Sequence, residues 1–133
     1  MFLEMLNEEQ KELFLHLAVK AAYANEILEE AEKDMLIAFA KEMNIKPVLS
    51  SDKDLEVMLE KLKLICGGIE RKIILFELVG VMYSDNVCDN SETAFLEEIA
   101  KAFNIDNSVL TKMCEHVKDY IQLYRNIFDT VIK

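Results

Sequence analysis

The side chains in this chain best suited to chemistry sit in two polar turns that lie sixty residues apart. Ser84-Asp85-Asn86-Val87-Cys88-Asp89-Asn90-Ser91-Glu92 is answered by Ala24-Asn25-Glu26-Ile27-Leu28-Glu29-Glu30-Ala31-Glu32. Each turn carries three oxygen-bearing side chains at matched places: Asp85, Asp89 and Glu92 in one, and Asn25, Glu29 and Glu32 in the other. Hard oxygen ligands of this kind suit a divalent cation such as Ca²⁺ or Mg²⁺. The spacing is not that of an EF-hand. A loop starting at Asp85 would need glycine at its sixth place and glutamate at its twelfth, and it has Asn90 and Leu96 there. A cation site would therefore have to be assembled from both turns in space. The same residues also read as helix punctuation, with Asp85-Asn86 tolerating the left-handed conformation that ends a helix, Asp89 as an N-cap and Glu92 closing a capping box. Capping alone accounts for every acidic residue in the turn.

Other chemistry finds little support. The two histidines, His16 and His116, lie in neither an E-x-x-H di-iron element nor an H-E-x-x-H metalloprotease element. Cys114 and His116 stand two apart, and helical neighbours at that spacing point to different sides. The chain has no G-x-G-x-x-G, Walker A or G-x-S-x-G pattern, which removes phosphate cradles and nucleophile elbows from the argument. No catalytic residue is named, and a non-enzymatic role is expected. Cys66, Cys88 and Cys114 are odd in number and widely spaced, as suits free thiols in a reducing compartment.

The turns must be positioned by helices, and the sequence writes those helices twice. Tyr23, Glu32, Leu36, Ala40, Lys41, Asn44 and Ile45 recur sixty residues on as Tyr83, Glu92, Leu96, Ala100, Lys101, Asn104 and Ile105, while Asn25 and Glu29 return as Asp85 and Asp89. The shared E-x3-L-x3-A-K-x2-N-I is one face of a helix, so a helical hairpin is duplicated. Asn7 with Gln10 has the form of a capping box ahead of a helix over about 8–24. Apolar spacings of three and four then predict helices over 30–43 and, after Pro47, from the Ser50-Ser51-Asp52 cap candidates to Cys66-Gly67-Gly68. The pattern restarts from Ile69 to about Tyr83 and from Asn90 to Phe103. Asp106-Asn107-Ser108 caps a last stretch, one helix or two, whose apolar residues run from Leu110 to Val131. The expected fold is an all-α single-domain helical bundle of six to seven helices over residues 1–133, with pseudo-repeats of about 7–66 and 67–133.

A chain of 133 residues is long enough to build its own core without disulfides. Its formal charge of −10 would repel a phosphate backbone, which excludes nucleic acid as a partner and favours a basic protein. The stretch Met1–Glu9 has neither the basic n-region nor the apolar run of a secretory signal, and Ile73–Tyr83 is too short to cross a membrane and contains Glu77. A cytoplasmic location without a transmembrane segment is expected. Met35, Met43, Met58, Met82 and Met113 fall on apolar helical faces and are assigned to the core. The stripe from Val117 to Val131, with Tyr120, Tyr124 and Phe128, is expected to pack within the bundle, with a homodimer through those residues as the alternative.

The run Ile74-Leu75-Phe76-Glu77-Leu78-Val79-Gly80-Val81-Met82-Tyr83-Ser84-Asp85, followed by Asp89, Glu92 and Phe95–Phe103, resembles the TerB-like family associated with tellurite resistance. The resemblance spans both copies, roughly residues 10 to 121. In that family an apolar helix ends in an Asp-Gly turn, an acidic residue follows, and the next helix carries L-x3-A. Asp85 and Glu92 fall on the acidic places, and Asn86 stands where the family commonly has glycine. In the first copy Asn25 stands for the aspartate and Glu32 for the glutamate. The resemblance implies an all-helical cytoplasmic domain of the chemical stress response, without catalytic activity, that docks in larger assemblies or binds metal ions.

Overall fold

The computed structural model describes residues 1–24, 30–83 and 90–133. Among them the chain is six α-helices and no strand: α1 (Glu8–Ala22), α2 (Glu30–Met43), α3 (Leu55–Ile65), α4 (Gly68–Met82), α5 (Asn90–Ala102) and α6 (Asn107–Val131), preceded by a 3₁₀ turn at Leu3–Met5. The final apolar stretch is thus one helix, not two.

The two helices with the most buried residues, α1 and α4, occupy the centre. On α1, Phe14, Leu15, Leu17 and Ala18 are shut off from solvent, as are Ile74, Leu75, Leu78 and Val79 on α4. Apolar residues on most sides of a helix require neighbours on most sides, and α1 packs on α2, α3 and α4 while α4 packs on α1, α5 and α6. The duplication is visible in three dimensions, because the order of buried and exposed residues along 11–20 repeats position for position along 71–80. Where the copies differ, their surroundings differ. Buried Leu17 is replaced by buried Glu77, and Lys20 by Gly80.

Each half also ends its second helix identically. Asn44 and Asn104 take φ of 56° and 57°, the left-handed conformation. The Ile45 N–H donates to the Ala40 carbonyl at 3.0 Å and the Asn44 N–H to the Lys41 carbonyl at 3.1 Å; Ile105 and Asn104 do the same to Ala100 and Lys101 at 2.9 and 3.1 Å. This is the Schellman pattern, which satisfies two orphan carbonyls and uses asparagine as the side-chain-bearing residue best suited to that backbone. The repeated A-K-x2-N-I is therefore a helix stop. Asn44→Ala or Asn104→Ala should each cost up to about 1 kcal/mol, since alanine pays the left-handed Cβ strain without the local hydrogen bonding by which asparagine offsets it, whereas Asn→Gly should cost nothing; urea unfolding of the four variants checks both halves.

At the helix starts, Asn7 and Gln10 form the expected box, each side-chain oxygen accepting from the other's backbone N–H at 2.9 Å. The second half keeps only half of it. Glu70 accepts from the Gly67 N–H at 3.1 Å, and glycine has no side chain to return the bond. The predicted Ser50-Ser51-Asp52 cap is corrected to Asp54, whose carboxylate accepts from the Val57 N–H at 3.1 Å. Ser51 is engaged elsewhere, its hydroxyl lying 2.7 Å from His16 Nδ1 and 3.3 Å from the Lys53 N–H, so it ties the α2–α3 connection to α1. The ends of the two halves are joined by long polar side chains. Gln10 donates to the Ile65 carbonyl at 2.7 Å, and Arg71 donates to the carbonyls of Lys63 at 2.7 Å and Phe103 at 3.4 Å. Donors placed there meet the carbonyls left unpaired at the C-terminal ends of α3 and α5.

Candidate functional site

Of the acidic-turn residues, Asn25, Glu29, Asp85 and Asp89 lie outside the described residues. Glu32 and Glu92 lie within them, three residues into α2 and α5 from the helix boundary, and are 1% and 2% exposed. Their placement in the first turn sets a carboxylate against the positive end of each helix. Neither stands unpartnered, as burial of a carboxylate demands. They do not lie on an acidic surface; they are pulled inward at equivalent points of the two halves. Among the described residues no group of three or more His, Cys, Asp or Glu is arranged to hold a metal ion.

An open apolar groove lies elsewhere. Met35 and Phe39 of α2, Phe76 and Gly80 of α4, and Tyr120 and Tyr124 of α6 line a groove of about 930 Å³. Gly80 forms part of its floor because it lacks a side chain, with the Met35 methyl 4.0 Å from where a Cβ would stand. The equivalent stretch of the first half is covered by its own chain. There His16 meets Ser51, and the Tyr23 hydroxyl donates to the Leu49 carbonyl at 3.3 Å. The second half has no such connection, because α6 begins at Asn107, shortly after α5 ends at Ala102.

The N-terminal segment closes one end of the groove. The Met1 amine is 3.1 Å from Glu42 Oε1 and 3.0 Å from Glu77 Oε1, the Phe2 N–H donates to Glu77 at 3.0 Å, and the Leu3 N–H donates to Glu42 at 3.2 Å. The Phe2 ring meets Phe76 edge-on at 6.0 Å. Burial lowers the amine pKa, but hydrogen bonds and charge from Glu77 and Glu42 outweigh it and the net shift is upward. A single acidic residue within an apolar helix is thus given a cation and an amide donor. Sequence periodicity could flag Glu77 as anomalous but could not name a partner 75 or more positions away.

The wall formed by α6 changes character along its length. Leu110, Met113 and Val117 are buried, whereas Tyr120, Leu123, Tyr124, Ile127, Phe128 and Val131 are between 43% and 70% exposed. Lys118 holds the junction, its ammonium 5.5 Å from the centre of the Tyr83 ring. The expectation that the whole stripe packs within the bundle is therefore corrected. The globular core ends near Val117, and the helix continues beyond it for four more turns.

Burial sets Cys66 and Cys114 against thiolate formation. Burial, with Glu70 nearby, pushes the Cys66 thiol up to about 11, and burial also raises Cys114; both are free. Cys88 lies outside the described residues. At pH 8 Cys66 should be about one-thousandth thiolate, so alkylation in the folded protein should be slow and should accelerate roughly tenfold per pH step up to about 11. Mass spectrometry of timed iodoacetamide labelling checks this.

Among known proteins, no family model matches the chain. No curated protein and no solved structure matches it either.

Proposed function

We propose that this chain is a non-catalytic protein-interaction domain, as the TerB-like resemblance implies, acting in the cytoplasm in a response to chemical stress such as tellurite. The docking site is the groove between α2, α4 and α6 together with the exposed face of distal α6. The observation that carries this reading is the row of large apolar side chains, Tyr120 to Val131, left in solvent beside an apolar groove. Contiguous exposed apolar surface on this scale marks interaction sites rather than ordinary protein surface. The groove rim carries Asp34 and Glu42, and the chain is strongly acidic, so a partner segment with basic flanks is favoured by electrostatic complementarity.

Gly80→Leu tests the assignment, because leucine would fill the floor, its Cβ meeting the Met35 methyl at ordinary contact distance, while improving helix propensity. Proteins retained from a cell extract by the immobilised chain should be lost with Gly80→Leu. Equal retention by both would remove the groove from the account.

Cation binding is the second reading, favoured by one observation: Glu32 and Glu92 are buried to the same degree at the same point of both halves. With Asn25, Glu29, Asp85 and Asp89 they would supply oxygen ligands for Ca²⁺ or Mg²⁺. Asparagine at position 25 and Asn86 in place of the family's common glycine weigh against a strong site.

A further inference from the structure

We propose that the groove is filled by the distal half of α6 from a second copy of this chain, giving a two-fold dimer in which each copy inserts its α6 into the other. This rests on the docking reading above and names its occupant.

The helix itself supplies the first argument. At about 100° per residue, Tyr120, Ile121, Leu123, Tyr124, Ile127, Phe128 and Val131 fall, with Val117, within an arc of roughly 160°. Lys118, Asp119, Gln122, Arg125, Asn126 and Asp129 fill the remainder without overlap. That arc is wider than the two-position seam of a coiled coil and matches a helix facing a core. Yet of residues 118–131 all but Ile121 are exposed. The segment propagates from the packed first half of α6, so its helix is already nucleated; it is the width of its apolar face in water that calls for a cover.

Continuity supplies the second. Tyr120, Ile121 and Tyr124 belong both to the exposed stripe and to the lining of the groove. A two-fold axis passing beside them seats each stripe in the other copy's groove with one self-complementary patch, and the assembly closes at two. At roughly 100 Å² each, about half of what a large side chain can bury, the six exposed residues of the stripe present on the order of 600 Å². This approaches the roughly 800 Å² per partner of a stable interface.

Charge supplies the third. Residues 118–133 contain three basic and two acidic side chains, net +1, in a chain whose total is −10. The segment left uncovered is thus a net-positive part of an acidic protein. The groove lining sets Asp34, Glu42 and Glu77 against Arg125 and the Met1 amine that Glu42 and Glu77 already hold, which leaves it a small negative balance.

Sedimentation equilibrium of the full chain at micromolar concentrations should return twice the monomer mass of 15.4 kDa. Tyr124→Glu/Phe128→Glu should raise the dissociation constant at least a hundredfold while leaving the helical circular dichroism unchanged, since both residues are exposed in one copy. Gly80→Leu, which alters only the receiving groove, should weaken the dimer comparably. A wild-type monomer at every concentration would overturn the proposal. So would a dimer indifferent to Gly80→Leu, since the stripe would then be paired elsewhere. A monomer that still retains extract proteins through Gly80 would refute the second copy and leave the docking reading standing; a monomer with no such retention would refute both.

Discussion

Phe14→Ala will lower the unfolding free energy by about 3–5 kcal/mol, the range for removing a fully buried aromatic side chain. Phe14 is at the centre of α1 with no solvent exposure, and its ring meets Phe39 of α2 edge-on at 5.2 Å and 68°. The loss therefore combines apolar transfer, an unfilled cavity and a favourable ring pair worth about 0.5–1.5 kcal/mol. Against a total stability of about 5–15 kcal/mol for a domain of ordinary size, the change would bring the protein close to unfolding. Its counterpart Ile74, equally buried on α4, should cost about 2–5 kcal/mol as Ile74→Ala and less than Phe14, since α4 offers no matching ring there. Urea denaturation of both variants checks the paired central helices. A loss below about 1 kcal/mol at both positions would mean that α1 and α4 do not lie at the centre.

The second large effect concerns the buried carboxylates. Glu32→Ala and Glu92→Ala should each cost about 1–3 kcal/mol, the range for removing a buried polar group that has a partner. Each residue is nearly inaccessible and neither is without a partner. The effects should be similar, since the two sites occupy equivalent places, and the double variant should lose roughly their sum. Glutamine is more informative. It keeps the shape and removes the charge, so Glu32→Gln/Glu92→Gln should forfeit only the helix-terminus contribution of about 0.3–1 kcal/mol per site. Under the docking reading, calorimetric midpoints in millimolar Ca²⁺ or Mg²⁺ should match those without the ion in both proteins. Under the cation reading, an ion at a hundred times its dissociation constant would stabilise the wild type by about 2.7 kcal/mol, and the glutamine variant would lose that gain. The two readings thus separate on one pair of traces.

The division between what was legible in the sequence and what was not follows the range of the interactions. The bounds of α2 emerge from apolar spacing alone, and the start of α1 from Asn7 and Gln10, because helix periodicity and capping act over three or four residues. The duplication carried that reading into α4 and α5. The cap of α3 was misplaced because serine and aspartate at 50, 51, 52 and 54 are chemically equivalent candidates; what decides is that Ser51 is drawn to His16, thirty-five positions away. Arg71 bridging α3 and α5, and Glu77 receiving the Met1 amine, are likewise fixed by packing between distant segments.

The apolar character of distal α6 was plain from its spacing, but periodicity is the same whether a stripe faces its own core or another molecule's. Tyr120, Tyr124 and Phe128 therefore stand out in the sequence, while their exposure beyond the bundle appears only in the structure. Asn44 and Asn104 show a related gap. Their recurrence was visible, yet its cause, a left-handed helix stop, appears only with the backbone torsions. For the acidic turns, four of the six proposed ligands fall outside the described residues, and the two within them, Glu32 and Glu92, lie buried in the first turns of α2 and α5.

A photo-cross-linking amino acid placed at Tyr124, compared with one at exposed Glu97 on α5, which does not line the groove, tests the docking assignment most directly. Irradiation in cells should give a discrete adduct from position 124 and none at that mass from position 97, and Gly80→Leu should abolish it. An adduct at twice the chain mass would identify a second copy, and any other mass a different protein partner. No adduct at position 124, or the same adducts from both positions, would contradict the account.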